Sequence, residues 1–151
     1  MTMSNDFSNG FIEQRIIDAV RRLLVRQVNE NLKQIEFVLP LIELGNYEGA
    51  DVVCPVVTLA SNERTEKERI IRLDVYSLTI AFSLPPTPES ELYCYIYSGA
   101  VSRAFYENPT LGGVADRAVI TGKKYVPPKR LHNGEGWKIE FALRVTVEEM
   151  I

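Results

Sequence analysis

The stretch WKIEFALRVTVEE, residues 137–149, alternates without a break. Trp137, Ile139, Phe141, Leu143, Val145 and Val147 fall on one side of an extended chain. Lys138, Glu140, Arg144, Thr146 and Glu148 fall on the other. Successive side chains of a β-strand point to opposite faces, so this segment predicts a strand with one face buried under helices. Its other face is wet or covered by a partner.

The covering helices are read from a different period. From Phe11 to Ile35 the apolar residues Ile12, Ile16, Val20, Leu23, Leu24, Val28, Leu32 and Ile35 recur at helical spacing. Charged residues fill the gaps, which predicts an amphipathic helix, with Ser8 or Asn9 as its cap. A second helix is expected over LYCYIYSGAVSRAFYEN, residues 92–108, where Leu92, Ile96, Ala100, Val101, Ala104 and Phe105 recur. Thr87 and Pro88 supply its start signal, and Glu89 and Glu91 suit the positive end of its dipole. Gly99 weakens this helix unless the backbone must approach the sheet there. Asn108 precedes Pro109, which ends the helix at Glu107 or Asn108. Gly112 and Gly113 then allow the positive φ that turns the chain back, and Leu111 plugs the end of the core.

Three further segments read as strands. VVCPVVTLA, residues 52–60, is rich in β-branched residues, and Pro55 assigns it to an edge or a bulge. Residues 44–51 precede it with turn chemistry, and SNERTEKER, residues 61–69, follows as a solvated hairpin loop. In IIRLDVYSLTIAFSLP the apolar alternation starts on Ile71, Leu73 and Val75 and switches to Tyr76, Leu78, Ile80, Phe82 and Leu84. A strand changes faces only through an extra residue or a sharp twist, so a β-bulge is expected near Val75–Tyr76. VADRAVITGKKYV, residues 114–126, precedes the final strand. The order helix, strand, strand, helix, strand, strand predicts an α+β fold: a mostly antiparallel four-stranded sheet with two helices packed on one face.

The bulk composition agrees with one domain over residues 1–151, with 1–9 as a flexible tail. A chain of 151 residues buries roughly 70% of its unfolded surface on folding. A net charge of −3 argues against a protein that coats nucleic acid. The two cysteines, Cys54 and Cys94, sit in apolar settings and read as reduced thiols. The polar N-terminal stretch is not a signal peptide, and no window is apolar enough to span a membrane.

Catalytic chemistry is not expected, and neither is a cofactor or metal site. The one histidine, His132, lies in RLHNGEG without a nucleophile motif beside it. GGVADRAVITGKK fails as a phosphate loop, because eight residues separate Gly113 from Gly122 and no Ser or Thr follows Lys124. One basic cluster stands out: KKYVPPKR carries Lys123, Lys124, Lys129 and Arg130 with no acid. It reads as a solvated hairpin tip stiffened by Pro127–Pro128, or as a loop that meets phosphates without reading sequence.

At NPTLGGVADRAVIT, after a helix and before two final strands, the chain resembles the tail terminator (tail completion) proteins of tailed bacteriophages. The similar layout covers most of residues 11–149. The resemblance implies a non-enzymatic virion assembly protein, a minor tail protein made in the host cytoplasm and placed in the virion tail. It implies a homo-oligomeric ring, commonly hexameric, on the head-proximal end of the tail tube. The partners it implies are the tail tube protein, the head–tail connector protein, and DNA passing through the lumen without sequence readout. A free sheet face and an edge strand both suit such a ring, and Ser77, Thr79, Ala81 and Ser83 suit a closely approached surface. In this reading Arg64, Lys67 and Arg69 of the first hairpin, with Lys123, Lys124, Lys129 and Arg130, are the candidate contact residues. The alternatives are a neck or head-closure protein, and a small cytosolic ligand-binding domain or enzyme with a pocket around Tyr93, Tyr97 and His132.

Overall fold

The computed structural model describes residues 11–35, 41–42, 52–67, 71–129 and 136–150. The expected N-terminal tail and its Ser8 or Asn9 cap, the 44–51 turn, Arg69, Arg130 and His132 lie outside the described residues.

The N-terminal helix forms as expected, but in three pieces: α1 (Ile12–Leu23), a π-helical turn (Leu24–Val28) and α2 (Asn29–Lys33). The reason is in the spacing. Ile16, Val20, Leu24, Val28 and Leu32 are all buried, and they recur every fourth residue. In an α-helix such a row drifts by about 40° per step, which carries Leu32 about 160° away from Ile16. A π turn has more residues per turn and draws the row back onto one face. Beyond it, Asn29 clamps a parallel pair of two-residue strands, β1 (Leu41–Ile42) and β2 (Val52–Val53). Its Oδ1 accepts the Ile42 N–H at 2.7 Å, and its Nδ2 donates to the Ile42 carbonyl at 2.9 Å.

The main sheet is built from β3 (Val56–Lys67), β4 (Ile71–Ser83), β5 (Arg117–Val126) and β6 (Lys138–Met150). Its order is β3-β4-β6-β5, antiparallel throughout. Helix α3 (Ser90–Glu107) lies over β5 and β6, and α1 lies over β3. This is the α+β fold expected, with both helices on one face. Tyr76, Leu78, Ile80, Phe82, Ile139, Phe141, Leu143 and Val145 form its buried floor. Phe82 meets Phe141 edge-on at 5.7 Å between ring centroids. Buried Asn31 joins the two helices by donating to the Ala100 carbonyl at 3.1 Å.

Three expectations about this sheet need correction. First, β4 carries no bulge. It pairs with β6 residue for residue from Ile71 to Ser83. Ile71, Leu73 and Val75 are half-buried on the face away from the helices, so the apolar pattern changes faces while the strand does not. Second, residues 61–67 are not a loop. They extend β3 and pair with β4 as far as Lys67 opposite Ile71. Third, a register shift in β3 leaves Ala60 unpaired between Leu59 and Ser61. The extra residue is therefore in the edge strand beside β4. The single strand expected over residues 52–60 is split at Cys54 and Pro55 into β2 and β3, and β3 is an edge strand.

Between the helix and β5 the NPTLGG turn does what its residues predict, with one addition. Helix α3 ends at Glu107, and Asn108 Nδ2 donates back to the Ala104 carbonyl at 2.8 Å. Leu111, Gly112 and Gly113 all have positive φ, at 52°, 70° and 91°. Leu111 holds this conformation while only 5% exposed; its burial, about 1.5–3 kcal/mol, offsets the cost of a left-handed non-glycine residue, about 1–2 kcal/mol. The addition concerns the sheet edge. The Ala118 N–H donates to the Pro109 carbonyl at 2.6 Å, so the turn also covers the first part of β5. The start signal of α3 is displaced: the helix begins at Ser90, not at Pro88. Buried Ser90 accepts the Trp137 N–H through its Oγ at 2.8 Å, tying the helix start to β6. Gly99 is exposed, and a Cβ there would meet nothing within 4 Å, so close approach to the sheet is not its reason.

Candidate interaction surfaces

The expected cations do not converge. A register shift in β5 leaves Thr121 unpaired between Ile120 and Gly122. That extra residue reverses the parity of everything after it. Lys123 therefore lies opposite Phe141 on the helix side, and Lys124 lies opposite Glu140 on the other side. Both are strand residues, which corrects their placement at a hairpin tip. Lys129 is exposed beyond the strand end.

The shift at Ala60 has the same effect in β3. It brings Arg64 opposite Asp74, on the helix side of the sheet. Asp74 is 3% exposed. Arg64 Nε donates to its Oδ1 at 2.8 Å, while Arg72 Nε stands 3.6 Å from its Oδ2 and pairs with Glu149 through its Nη2. The Asp74 hydrogen bond raises the Arg64 pKa. Burial, reinforced by the Asp74 carboxylate, pushes the Tyr76 phenol up to about 12. Arg64 is thus committed to holding the hairpin arm together and is not a free contact. Lys67 ends β3 opposite Ile71.

A groove that the sequence did not signal runs between the C-terminal half of α3 and the edge strand β5. It encloses about 610 Å³, within the range of ordinary ligand and anchor pockets. Phe105, Pro109, Ala118 and Ile120 supply its apolar lining, and Tyr106, 86% exposed, stands at its rim. Its polar groups are Ser102, Asp116, Arg117 and Lys123. The Ser102 Oγ is buried without a hydrogen-bond partner. Asp116 is engaged, since its Oδ2 accepts the Glu148 N–H at 2.6 Å. Among the described residues neither Arg117 nor Lys123 is in an ion pair. The groove thus sets an apolar lining beside one unpaired cation, Lys123, while Arg117 stands opposite Thr146 on the uncovered side of the sheet.

Tyr93 and Tyr97, around which the ligand-binding alternative expects a pocket, line neither this groove nor the cleft beside α1. Tyr97 is fully buried, its pKa raised by burial, and its ring is 6.1 Å from Phe82. A second cleft, of about 360 Å³, lies between α1 and the NPTLGG turn and is lined in part by Arg22, Arg26, Asn108 and Gly112. Among the described residues no group of three or more His, Cys, Asp or Glu is placed to hold a metal ion, and no helix is long and apolar enough to cross a membrane.

The face of the sheet away from the helices is uncovered by any described element. Ser77, Thr79 and Ala81 of β4 lie beside Ala142 of β6, with Gly122 of β5 and Thr58 of β3 flanking them. These small residues make a shallow floor. Half-buried Leu73 and Val75 continue it toward the β3–β4 hairpin. Compared with known proteins, the chain matches no family model and no curated sequence.

Proposed function

We propose that this chain is a non-enzymatic assembly protein of a tailed phage or prophage. In this reading it is a tail terminator whose copies form a six-membered ring on the head-proximal end of the tail tube. The ring stops tube growth, presents a surface to the head connector and passes DNA without reading its sequence. The observation that carries the reading is the uncovered face of the four-stranded sheet. An antiparallel sheet that ends in water tends to carry polar side chains on its wet face. Here that face carries the charged Lys124, Glu140 and Arg144, as a wet face does, but around a centre of small residues with half-buried Leu73 and Val75 beside it, and that low centre favours close approach by another protein surface. The resemblance at NPTLGGVADRAVIT supports the same reading.

The test is direct. The purified protein, alone and with purified tail tubes, is followed by light scattering and negative-stain electron microscopy. Rings of six, free or capping tube ends, are the expected outcome. A protein that stays monomeric and leaves tubes uncapped overturns the reading. A neck or head-closure role would give rings that bind the head connector and ignore the tubes.

A further inference from the structure

We infer that the cleft between α1 and the NPTLGG turn is a phosphate-binding site, in which Arg22 and Arg26 hold the anion against the backbone of the turn. The site lies within one chain, so it goes beyond the ring reading and does not depend on it.

The cations come from the helix. Arg22 and Arg26 line the cleft, and Arg26 lies in the π turn. The π turn that keeps Leu24 and Val28 on one face keeps these two arginines in line as well. Both are exposed, and among the described residues neither guanidinium is in an ion pair or a hydrogen bond. Asp18 and Glu30, one turn before Arg22 and one turn after Arg26, form no ion pair with them. Asp18 instead accepts from Gln14 Nε2 at 2.8 Å. None of the described residues that line the cleft carries a carboxylate, so its positive charge is uncompensated.

Further donors come from the turn, whose acceptors are already spent. The carbonyls of Ala104, Phe105, Asn108, Pro109 and Thr110 all accept hydrogen bonds from the turn and the start of β5. Its donors are not all spent. Gly112 and Val114 line the cleft, and among the described residues the N–H of each is in no hydrogen bond. Gly112 has no side chain, so it lines the cleft with backbone alone. Gln27 and Asn108 spend their amide donors on Asn31 and the Ala104 carbonyl, which leaves each an oxygen to steady a guanidinium. Two guanidiniums and unspent N–H groups, beside carbonyls that are occupied, fit an anion with several acceptor oxygens. Guanidinium forks match phosphate geometry, and the N–H groups of tight turns complete such sites.

The phosphate is either free, as inorganic phosphate or a phosphomonoester, or part of a DNA backbone. The chemistry is the same, and the test separates the two.

Wild type, R22Q/R26Q and the charge-matched control R15Q/R21Q are compared at constant ionic strength. Arg15 and Arg21 are exposed and do not line the cleft. Melts in chloride check that each variant is folded, as exposed substitutions allow. Inorganic phosphate is titrated by calorimetry, and a short duplex oligonucleotide by fluorescence anisotropy. Wild type and R15Q/R21Q are expected to bind phosphate saturably, one per chain, and R22Q/R26Q about tenfold or more weakly, since two charged hydrogen-bond donors are gone. A matching loss of duplex affinity in R22Q/R26Q, with inorganic phosphate competing in wild type, assigns the site to the DNA backbone. Duplex binding that is equal in all three proteins, beside a loss of phosphate binding, assigns it to free phosphate. A folded R22Q/R26Q that binds both probes as wild type does overturns the site. So does a wild type that binds neither, or a control that loses as much as R22Q/R26Q. None of these readouts requires a ring, so a protein that never forms one leaves the site standing.

Discussion

Cys94 and Tyr76 are neutral groups sealed in the core, and their environments set how the fold responds to alkali. Burial raises the Cys94 thiol from 9.0 to about 11 and the Tyr76 phenol from 10.0 to about 12. In both cases the folded value exceeds the unfolded one. The stability each contributes is complete below its unfolded value and is lost as pH rises through the gap, from 9 to 11 for Cys94 and from 10 to 12 for Tyr76. Two pKa units correspond to about 2–3 kcal/mol for each group. Urea unfolding at stepped pH should therefore show stability level from pH 7 to 8.5 and falling steeply above 9. Cys94→Ala removes the first stage of that fall, at the cost of about 1–2 kcal/mol at neutral pH for the small cavity it leaves. Equal slopes between pH 9 and 10 in both proteins would refute the assignment. Asp74 teaches a different lesson at the same scale. A charge run such as SNERTEKER looks like a solvated tip, yet one of its arginines is consumed by a carboxylate ten residues later in the chain. Such pairing depends on register, which composition cannot reveal.

At the scale of the element, two single-residue insertions explain where the reading of the sequence strayed. The π turn in the N-terminal helix is one. It is equivalent to one extra residue in an otherwise α-helical segment. Deletion of exposed Arg26 leaves the buried row spaced 4, 4, 3 and 4, which a regular α-helix keeps on one face. The deletion variant is expected to fold with an unfolding free energy within about 1 kcal/mol of wild type, since the removed side chain is exposed and the core contacts persist. Its circular dichroism melt checks this, and loss of cooperative unfolding would show that the π turn is needed for more than phase. The unpaired residues Ala60 and Thr121 are the strand counterparts. Each reverses side-chain parity within an edge strand, and together they send Arg64 and Lys123 to the helix side of the sheet. Both edge bulges also disrupt the ladder where another chain would pair.

At the scale of the whole molecule, the one-sided architecture divides the surface into parts with different work. The helix side holds the core and, at its margin, the groove. The uncovered side has a floor of small residues, which in the proposed reading meets the tail tube. Ala142→Arg tests that division, because Ala142 is exposed in the middle of this floor. It is expected to leave the unfolding free energy within about 0.5 kcal/mol of wild type, as an exposed substitution does. It should also leave ring formation intact and lower the fraction of tail tubes capped, counted by electron microscopy. A variant that caps tubes as well as wild type would take this face out of the interface.

The sequence by itself determined the fold class, because hydrophobic period is a local property. Residues 137–149 alternate with period two, the stripe from Ile12 to Ile35 has a helical period, and Asn-Pro with Gly-Gly stops α3 and turns the chain. Leu111 was legible as a plug for the same reason, since it is an apolar residue between a stop and a turn. The tertiary structure alone decided which cations stand free, where the unpaired residues fall and where the groove opens. Those features depend on cross-strand register and on how α3 lies along β5, between residues far apart in the chain. A strand one residue out of step exchanges its two faces. Adjacent Lys123 and Lys124 take opposite faces in any register, and it is the unpaired Thr121 that gives Lys123, rather than Lys124, the helix side.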